Sequence, residues 1–389
     1  MLKVCKRIVI KVLALVLVCL IEIYRRIKPI PRRIYFCYNQ SIHHIYHSLF
    51  IAIELSNIQN DFEVQVLSTS SRASCIIEEE LATVSNNVKF IKIHHPGYNK
   101  ANFSVNWFVF LCRLRMHKPA AVVVTDYFDN VFRQLLLKTF WVYSCHGPEN
   151  RGYTHAHIKD YDLVILPGAG ELKRIENRIG KINNYAITGY SKFDYLQYHK
   201  IGNLDLFKQE KPVILYNPHF DIMQSSFFDK GIELLDRLSK TGKYNIIFMP
   251  HPDLVRRYPE LINKTETIAD VVVLRHQKIN LDFMAVSSIY ITDVSSAVFE
   301  WLVFDKPVIF FNSKKIDWKV KGIYPAWECG VVAEDIQNML DAVEGQLNNP
   351  LEFQEKRREL FNETFLNRDK NVSRLIAQTI WEKLQNAGK

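Results

Sequence analysis

From residue 34 onward, short apolar runs rich in β-branched and aromatic side chains alternate with longer amphipathic segments. The runs predict strands over Ile34–Tyr38, Glu63–Leu67, Val88–Ile93, Ala120–Thr125, Trp141–Cys145, Leu163–Leu166 and Tyr185–Thr188. After a polar stretch ending at Pro212 they resume at Val213–Tyr216, Asn245–Met249, Val271–Leu274, Ile289–Thr292 and Val308–Phe311. Between them, periodic segments predict helices over Ile45–Asn57, Ser74–Thr83, Val105–Met116, Asn130–Lys138 and Leu172–Ile179. In the second half helices are expected at Phe228–Ser239, Leu281–Val286, Ala297–Val303, Asp335–Leu347, Glu352–Phe361 and Val372–Gln385. Strand–helix alternation of this kind predicts an α/β fold with parallel, doubly wound sheets. At 389 residues the chain exceeds one ordinary core, so two such domains are expected, residues 34–205 and 206–389, joined through the polar stretch.

Residues 1–33 break the pattern. Val12 to Ile21 is an unbroken apolar run, with Lys3, Lys6, Arg7 and Lys11 before it and Arg25, Arg26, Lys28, Arg32 and Arg33 after it. At helical spacing Lys3, Arg7, Lys11, Glu22 and Arg25 share one face, the arrangement of a helix lying in a membrane interface. A single-pass anchor is the second reading, since a span needs about 20 mainly apolar residues. Either way the basic flanks suit the anionic cytoplasmic face of a cell membrane. Pro29 and Pro31 end this helix and open a linker.

A formal charge of +9 favours an anionic partner. Scattered basic residues, with no zinc-finger or RNA-binding signature, argue against nucleic acid. The seven cysteines are odd in number and hold no C-x-x-C pair, so neither a zinc site nor a disulfide framework is indicated. Cys145 reads as a buried structural thiol. No Walker or G-x-G-x-x-G loop is present, which removes support for ATP hydrolysis and NAD chemistry. No cofactor and no metal are expected.

Doubly wound sheets bind ligands outside the carboxyl ends of their strands, so the residues that follow the strands carry the chemistry. In the first half these are Asn39 to His47, with His43, His44 and His47; Asp126 to Asn130; and His146-Gly147 after Trp141–Cys145. His43 and His47 have the spacing of a metal pair but lack a carboxylate beside them, so lining a cleft or capping a helix suits them better. His146 reads either as a satisfied strand-end imidazole or as a base working near neutral pH, with Gly147 allowing a sharp turn. Lys192 and Asp194, in Gly189-Tyr-Ser-Lys-Phe-Asp194, read by themselves as a solvated turn. In the second half the strand ends offer Asn217-Pro218-His219, His251 fixed between two prolines, Arg275-His276, and Thr292-Asp293-Val-Ser295-Ser296. That last turn precedes a helix, whose free N–H groups and serine hydroxyls suit a phosphate, with Asp293, Ser295 or Ser296 as its cap. An ordinary capped crossover would look the same.

In this order, Cys145-His-Gly147, Gly189 to Leu196, Ile214 to Pro218, Met249-Pro-His-Pro252, Ile291 to Glu300 with Lys306 to Phe310, and Asp369 to Arg374 make the chain resemble the CDP-glycerol glycerophosphotransferase family of teichoic-acid-type enzymes. The resemblance implies a GT-B-like pair of Rossmann domains, with the acceptor on the first and the CDP-alditol donor on the second. It implies His146 as general base and His251 at the donor diphosphate. Ser295 and Ser296 match donor-phosphate serines, and Asp293 and Glu300 match acidic positions beside them; Asn217, Pro218 and Thr292 belong to the same donor wall, with Gly147, Lys192, Asp194 and His276 as further candidates. The implied reaction transfers an alditol phosphate, glycerol phosphate first among them, to a hydroxyl of a lipid-linked or saccharide acceptor and releases CMP. Two positions depart from the family pattern: Pro148-Glu149-Asn150-Arg151 replaces a Thr-Pro continuation, and His219 stands where a Thr is usual. A GT-B glycosyltransferase using a nucleotide sugar, and a non-catalytic scaffold of surface-polymer assembly, are the alternatives.

Overall fold

The computed structural model describes residues 32–38, 42–93, 116–125, 139–148, 156–199, 204–275, 278–319 and 324–387, with Ile23, Leu114 and Ile201 as isolated positions. Seven strands form the first sheet: β1 (Arg33–Tyr38), β2 (Glu63–Ser68), β3 (Lys89–Lys92), β4 (Ala121–Val124), β5 (Phe140–Ser144), β6 (Leu163–Leu166) and β7 (Tyr185–Ile187). Their order is β3-β2-β1-β4-β5-β6-β7, and every pairing is parallel. The second sheet holds β8 (Val213–Asn217), β9 (Asn245–Phe248), β10 (Val271–Val273), β11 (Ile289–Thr292), β12 (Val308–Phe311) and β13 (Val331–Ala333) in the order β10-β9-β8-β11-β12-β13, again all parallel. Parallel strands are covered on both faces, which is why they read as continuous apolar runs rather than alternating ones. Residues 121–124, 163–166, 289–292 and 308–311 are buried throughout.

Two parallel-sheet α/β domains are therefore present. Each sheet reverses its strand order once among the strands described, between β1 and β4 and between β8 and β11. Ligand crevices form outside the carboxyl ends at such reversals. His44, His146, Asn217 and Asp293 follow strands at or beside these two points.

Several elements differ from expectation. The segment Ile45–Asn57 divides into a 3-10 helix, Ile42–His47, and an α-helix, Leu49–Ile58. Ala297–Val303 becomes a five-residue helix, Ala297–Trp301, followed by a 3-10 turn, Leu302–Phe304, that ends at Asp305 in the left-handed region (φ 52). Strand β13 and the short helices Pro252–Arg257 and Pro259–Thr265 are additional. The expected helix over 130–138 lies outside the described residues, and that over 105–116 almost wholly so. Among the described residues no helix is long and apolar enough to cross a membrane; the proposed anchor segment, apart from positions 23, 32 and 33, lies outside them.

After the second sheet the chain returns to the first. The helix Val372–Ala387 packs on Leu49–Ile58. Its first turn is held by Asp194, whose carboxylate accepts from the Val372 amide (3.1 Å) and the Ser373 amide (2.5 Å). Farther along, Gln385 Nε2 donates to Asp61 (2.7 Å). The two domains also share an apolar core: the Phe193 ring lies 4.9 Å from Phe365 and 6.1 Å from Phe361.

One part-buried contact of the first domain titrates. His199 Nε2 lies 2.8 Å from Glu80 on the helix Ser71–Thr83. That hydrogen bond raises the imidazole above its ordinary value, against the opposing effect of partial burial. The folded pKa exceeds the unfolded one of about 6.5, so the stabilisation is complete below that pH and disappears as pH rises through the folded value. The melting-temperature deficit of His199→Gln should accordingly be largest near pH 6 and vanish by about pH 9. A deficit independent of pH would show that the ion pair contributes nothing.

Candidate active site

The first half-site is built by β4, β5 and the 3-10 helix Ile42–His47. His146 leaves β5 one residue after Cys145, and Gly147 then adopts φ +152, a backbone region that side-chain-bearing residues rarely enter. His146 Nδ1 lies 2.7 Å from the Thr125 carbonyl, which can only accept. Nδ1 is thus the donor nitrogen, and in the neutral ring the lone pair falls on Nε2. The His44 ring lies 4.7 Å from that of His146, and the His47 ring 6.3 Å. His44 and His47 are both buried. Cys145 is buried too, its thiol donating to the Gly147 carbonyl (3.1 Å). Among the described residues no His, Cys, Asp and Glu side chains are grouped as a metal site.

The second half-site is built by the ends of β8, β9 and β11. His251 caps the helix Pro252–Arg257, its Nδ1 accepting from the Asp253 amide (3.1 Å). Its proton therefore sits on Nε2, the reverse of His146. His219 makes the equivalent bond to the Asp221 amide (3.1 Å). Phe220 lies 4.5 Å from each of these rings, with the Arg257 guanidinium over its ring at 5.2 Å from the centroid.

Three expected donor contacts turn out to be committed within the protein. Asn217 donates to the Met249 carbonyl and accepts from Tyr290 (2.7 Å), so its carboxamide is engaged at both ends. Thr292 donates to the Asn217 carbonyl (2.8 Å). Asp293 caps no helix. Its carboxylate accepts from the His219 amide (2.8 Å), the Ser226 amide (2.8 Å) and hydroxyl (2.9 Å), and the Val294 amide (2.7 Å). Burial pushes the Asp293 carboxyl up to about 6, against the pull of those donors. These residues fix the strand ends on which the crevice stands, beside the buried Pro218. Ser296 occupies the cap position without making a side-chain cap bond, and Ser295 Oγ accepts from the Ala297 amide (3.3 Å). Ser296 is the more accessible of the two. The five-residue helix behind them carries only a small macrodipole, so hydroxyls and local amides matter more than helix charge.

The turn Gly189–Asp194 overturns its reading as solvated. Gly189 has φ +118, and a Cβ there would lie 2.5 Å from the Leu366 carbonyl oxygen. Lys192 and Glu300 are both buried and bridge the domains: Nζ lies 2.8 Å and 2.7 Å from the two carboxylate oxygens. Tyr190 OH donates to Glu300 (2.7 Å), and Asn280 Nδ2 does so as well (2.6 Å). Burial alone would raise Glu300, yet the Lys192 charge and these donors hold it below the usual carboxylate range. Asp194, buried against the C-terminal helix, is pushed up to about 6 by that burial despite its amide donors. Tyr190 and Asn280 were missed at the level of sequence; a tyrosine after a glycine and an isolated Asn give no signal of a partner more than a hundred or twenty positions away. His276 lies outside the described residues.

A two-domain, doubly wound α/β protein with histidines facing the switch points of both sheets is thereby defined. The chain belongs to the CDP-Glycerol:Poly(glycerophosphate) glycerophosphotransferase family, whose model matches residues 157–382, more than half of it. His251, Ser295, Ser296 and Glu300 fall inside that stretch, whereas His146 precedes it. Among curated proteins the chain is 24% identical over 293 residues to the minor teichoic acid biosynthesis protein GgaB of Bacillus subtilis, covering 67% of this chain and 31% of that protein. It is 28% identical over 145 residues to the teichoic acid ribitol-phosphate polymerase TarK of Staphylococcus aureus, covering 36% and 28% respectively. The chain thus spans about a third of the length of these relatives. The wall teichoic acid polymerase TagF has a similar fold, with a TM-score of 0.66 at 13% identity over 92% of this chain and 90% of that structure. A UDP-GlcNAc 2-epimerase from Neisseria meningitidis, bound to UDP-GlcNAc, also shares it, with a TM-score of 0.60 at 15% identity over 90% and 100%.

Proposed function

We propose that the chain transfers an alditol phosphate, glycerol phosphate in the first instance, from a CDP-activated donor to a hydroxyl of a glycan or polymer acceptor. The observation that carries this reading is the opposite hydrogen bonding of Nδ1 in two histidines on the two domains, against a carbonyl in His146 and an amide in His251. His146 Nε2 takes the proton of the acceptor hydroxyl, and the oxygen forms its bond to the β-phosphorus. The bond from that phosphorus to the bridging oxygen breaks, and CMP departs with the electron pair. His251 Nε2–H donates to the diphosphate as its charge moves, and Ser296 with the neighbouring amides holds the transferred phosphate. Catalysis here is mainly positioning and charge stabilisation. Family membership and a related TagF structure soaked with CDPG support a CDP-linked donor.

The shared fold with a UDP-GlcNAc-bound enzyme favours a second reading, transfer from a nucleotide sugar. Incubation with CDP-glycerol, CDP-ribitol, UDP-sugars and CMP-sugars in competition, with product mass measured, separates the two. The proposed function requires CMP release and a mass gain of one alditol phosphate. Release of CMP from neither alditol donor would sink it.

The acceptor is proposed to be membrane-associated, with residues 1–28 binding an anionic cytoplasmic surface through their apolar run and basic flanks. Deleting them should abolish sedimentation with phosphatidylglycerol vesicles and leave turnover on a soluble acceptor intact. Continued sedimentation would place the membrane contact elsewhere.

A further inference from the structure

Five consecutive residues, Tyr190 to Asp194, reach almost every part that the proposed reaction needs to keep in register. Ser191 Oγ donates to the His47 carbonyl (2.7 Å), which closes the 3-10 helix beside His146. Lys192 holds Glu300, and Asp194 holds the start of the C-terminal helix. Tyr190 does the most. Its hydroxyl has one proton and two acceptors: Glu300 at 2.7 Å and the His146 carbonyl at 3.2 Å. Glu300 stands one helical turn after Ser296, so the hydroxyl touches the base-bearing loop and the donor-bearing helix at once. The Tyr190 ring is locked by packing at 5.3 Å from His47 and 5.2 Å from Phe365. Gly147 runs past the same hydroxyl, an added Cβ standing 3.6 Å from its oxygen in ordinary contact, so the positive φ rather than space calls for glycine there.

We infer that Tyr190 is a positioning residue: its hydroxyl sets the distance and angle between His146 on the first domain and the donor helix on the second. Tyr190 is 2% exposed, so its hydroxyl is closed off from the crevice. It acts through the His146 loop, and the inference rests on the reading of His146 as the base. Because Lys192 and Asn280 also hold Glu300, loss of the hydroxyl leaves the domains docked but frees the His146 loop from the shared reference. An error of about 1 Å in such a contact costs on the order of a hundredfold in rate.

The test is a double-mutant cycle on the full chain, measuring CMP release and calorimetric donor binding. Tyr190→Phe removes one oxygen and keeps the ring. It should melt within a few degrees of wild type, bind a CDP-alditol with unchanged Kd, and lower kcat by roughly 10- to 100-fold. In a His146→Ala background the same substitution should cost nothing further, because the residue it aligns has gone. Glu300→Asp, which keeps the charge for Lys192 but withdraws the carboxylate from the hydroxyl, gives a second variant with the same direction. Normal kcat in Tyr190→Phe beside an inactive His146→Ala would overturn the inference while leaving the base intact. An equal loss in both backgrounds would overturn it as well. Wild-type turnover in His146→Ala would instead sink the base, and the inference with it.

Discussion

His146→Ala should lower kcat for alditol-phosphate transfer by about 10²- to 10⁴-fold, the range that a positioned general base supplies, while CDP-alditol binding stays within about twofold of wild type. The two halves of that expectation come from different domains. His146 stands at the end of β5, in the first sheet, with its Nδ1 proton tied to the Thr125 carbonyl. In the proposed reaction the Thr125 bond orients the ring and Nε2 serves the acceptor, so the substitution removes an acceptor-side function alone. The proposed donor wall consists of the ends of β8, β9 and β11, which are held by Asn217, Asp293 and Ser226. Rates of CMP release and calorimetric titration with the donor check both halves. Loss of donor binding would move His146 to the other side of the crevice, and unchanged turnover would remove it from the chemistry. His251→Ala offers the contrast: it should weaken donor binding as well as turnover, since its Nε2–H faces the leaving diphosphate in this reading.

The central strands were legible in the sequence almost to the residue because they are buried on both faces. Ile289–Thr292, Val308–Phe311 and Leu163–Leu166 coincide with their apolar runs. The three-residue β13 escaped because Val331–Ala333 is too short to register as a run and adjoins a helical pattern. Pro252–Arg257 and Pro259–Thr265 escaped because each begins with proline, which breaks a periodic pattern although it is also suited to the first helical position. Candidate chemistry was legible wherever it depended on strand ends, as with His146 and His251. It was illegible wherever it depended on long-range pairing. Nothing near Lys192 announces Glu300, which lies 108 positions away, so a charged, polar turn was read as solvated. Likewise Asn217, Thr292 and Asp293 were read as ligand contacts from their place after strands. Their partners, the Met249 carbonyl, the Asn217 carbonyl and the Ser226 amide, come from neighbouring strands and turns whose approach is set only by folding.

Lys192→Met should cost about 3–5 kcal/mol of unfolding free energy, the range for removing one partner of a buried ion pair. Lys192 is 6% exposed and Glu300 7%, and among the described residues Glu300 would be left with the neutral donors Tyr190 and Asn280. Removing both charges is a different matter. Gln at position 300 can still accept from Tyr190, and Met fills the lysine stem, so Lys192→Met/Glu300→Gln should recover more than half of the loss. The pH dependence separates this account from simple loss of packing. With Lys192 present, Glu300 is held below the usual range, and its stabilisation is present above about pH 4.5 and disappears only as pH falls through the lower folded value. Without Lys192, burial dominates and the folded pKa of Glu300 rises above the unfolded one. The folded protein then binds a proton more tightly than the unfolded chain, and the variant gains stability relative to wild type as pH falls from 8 toward 5. Urea unfolding across that interval measures it directly. A deficit that is constant with pH, or a single variant within about 1 kcal/mol of wild type, would mean that water reaches Glu300 and that the ion pair does not hold the two domains together.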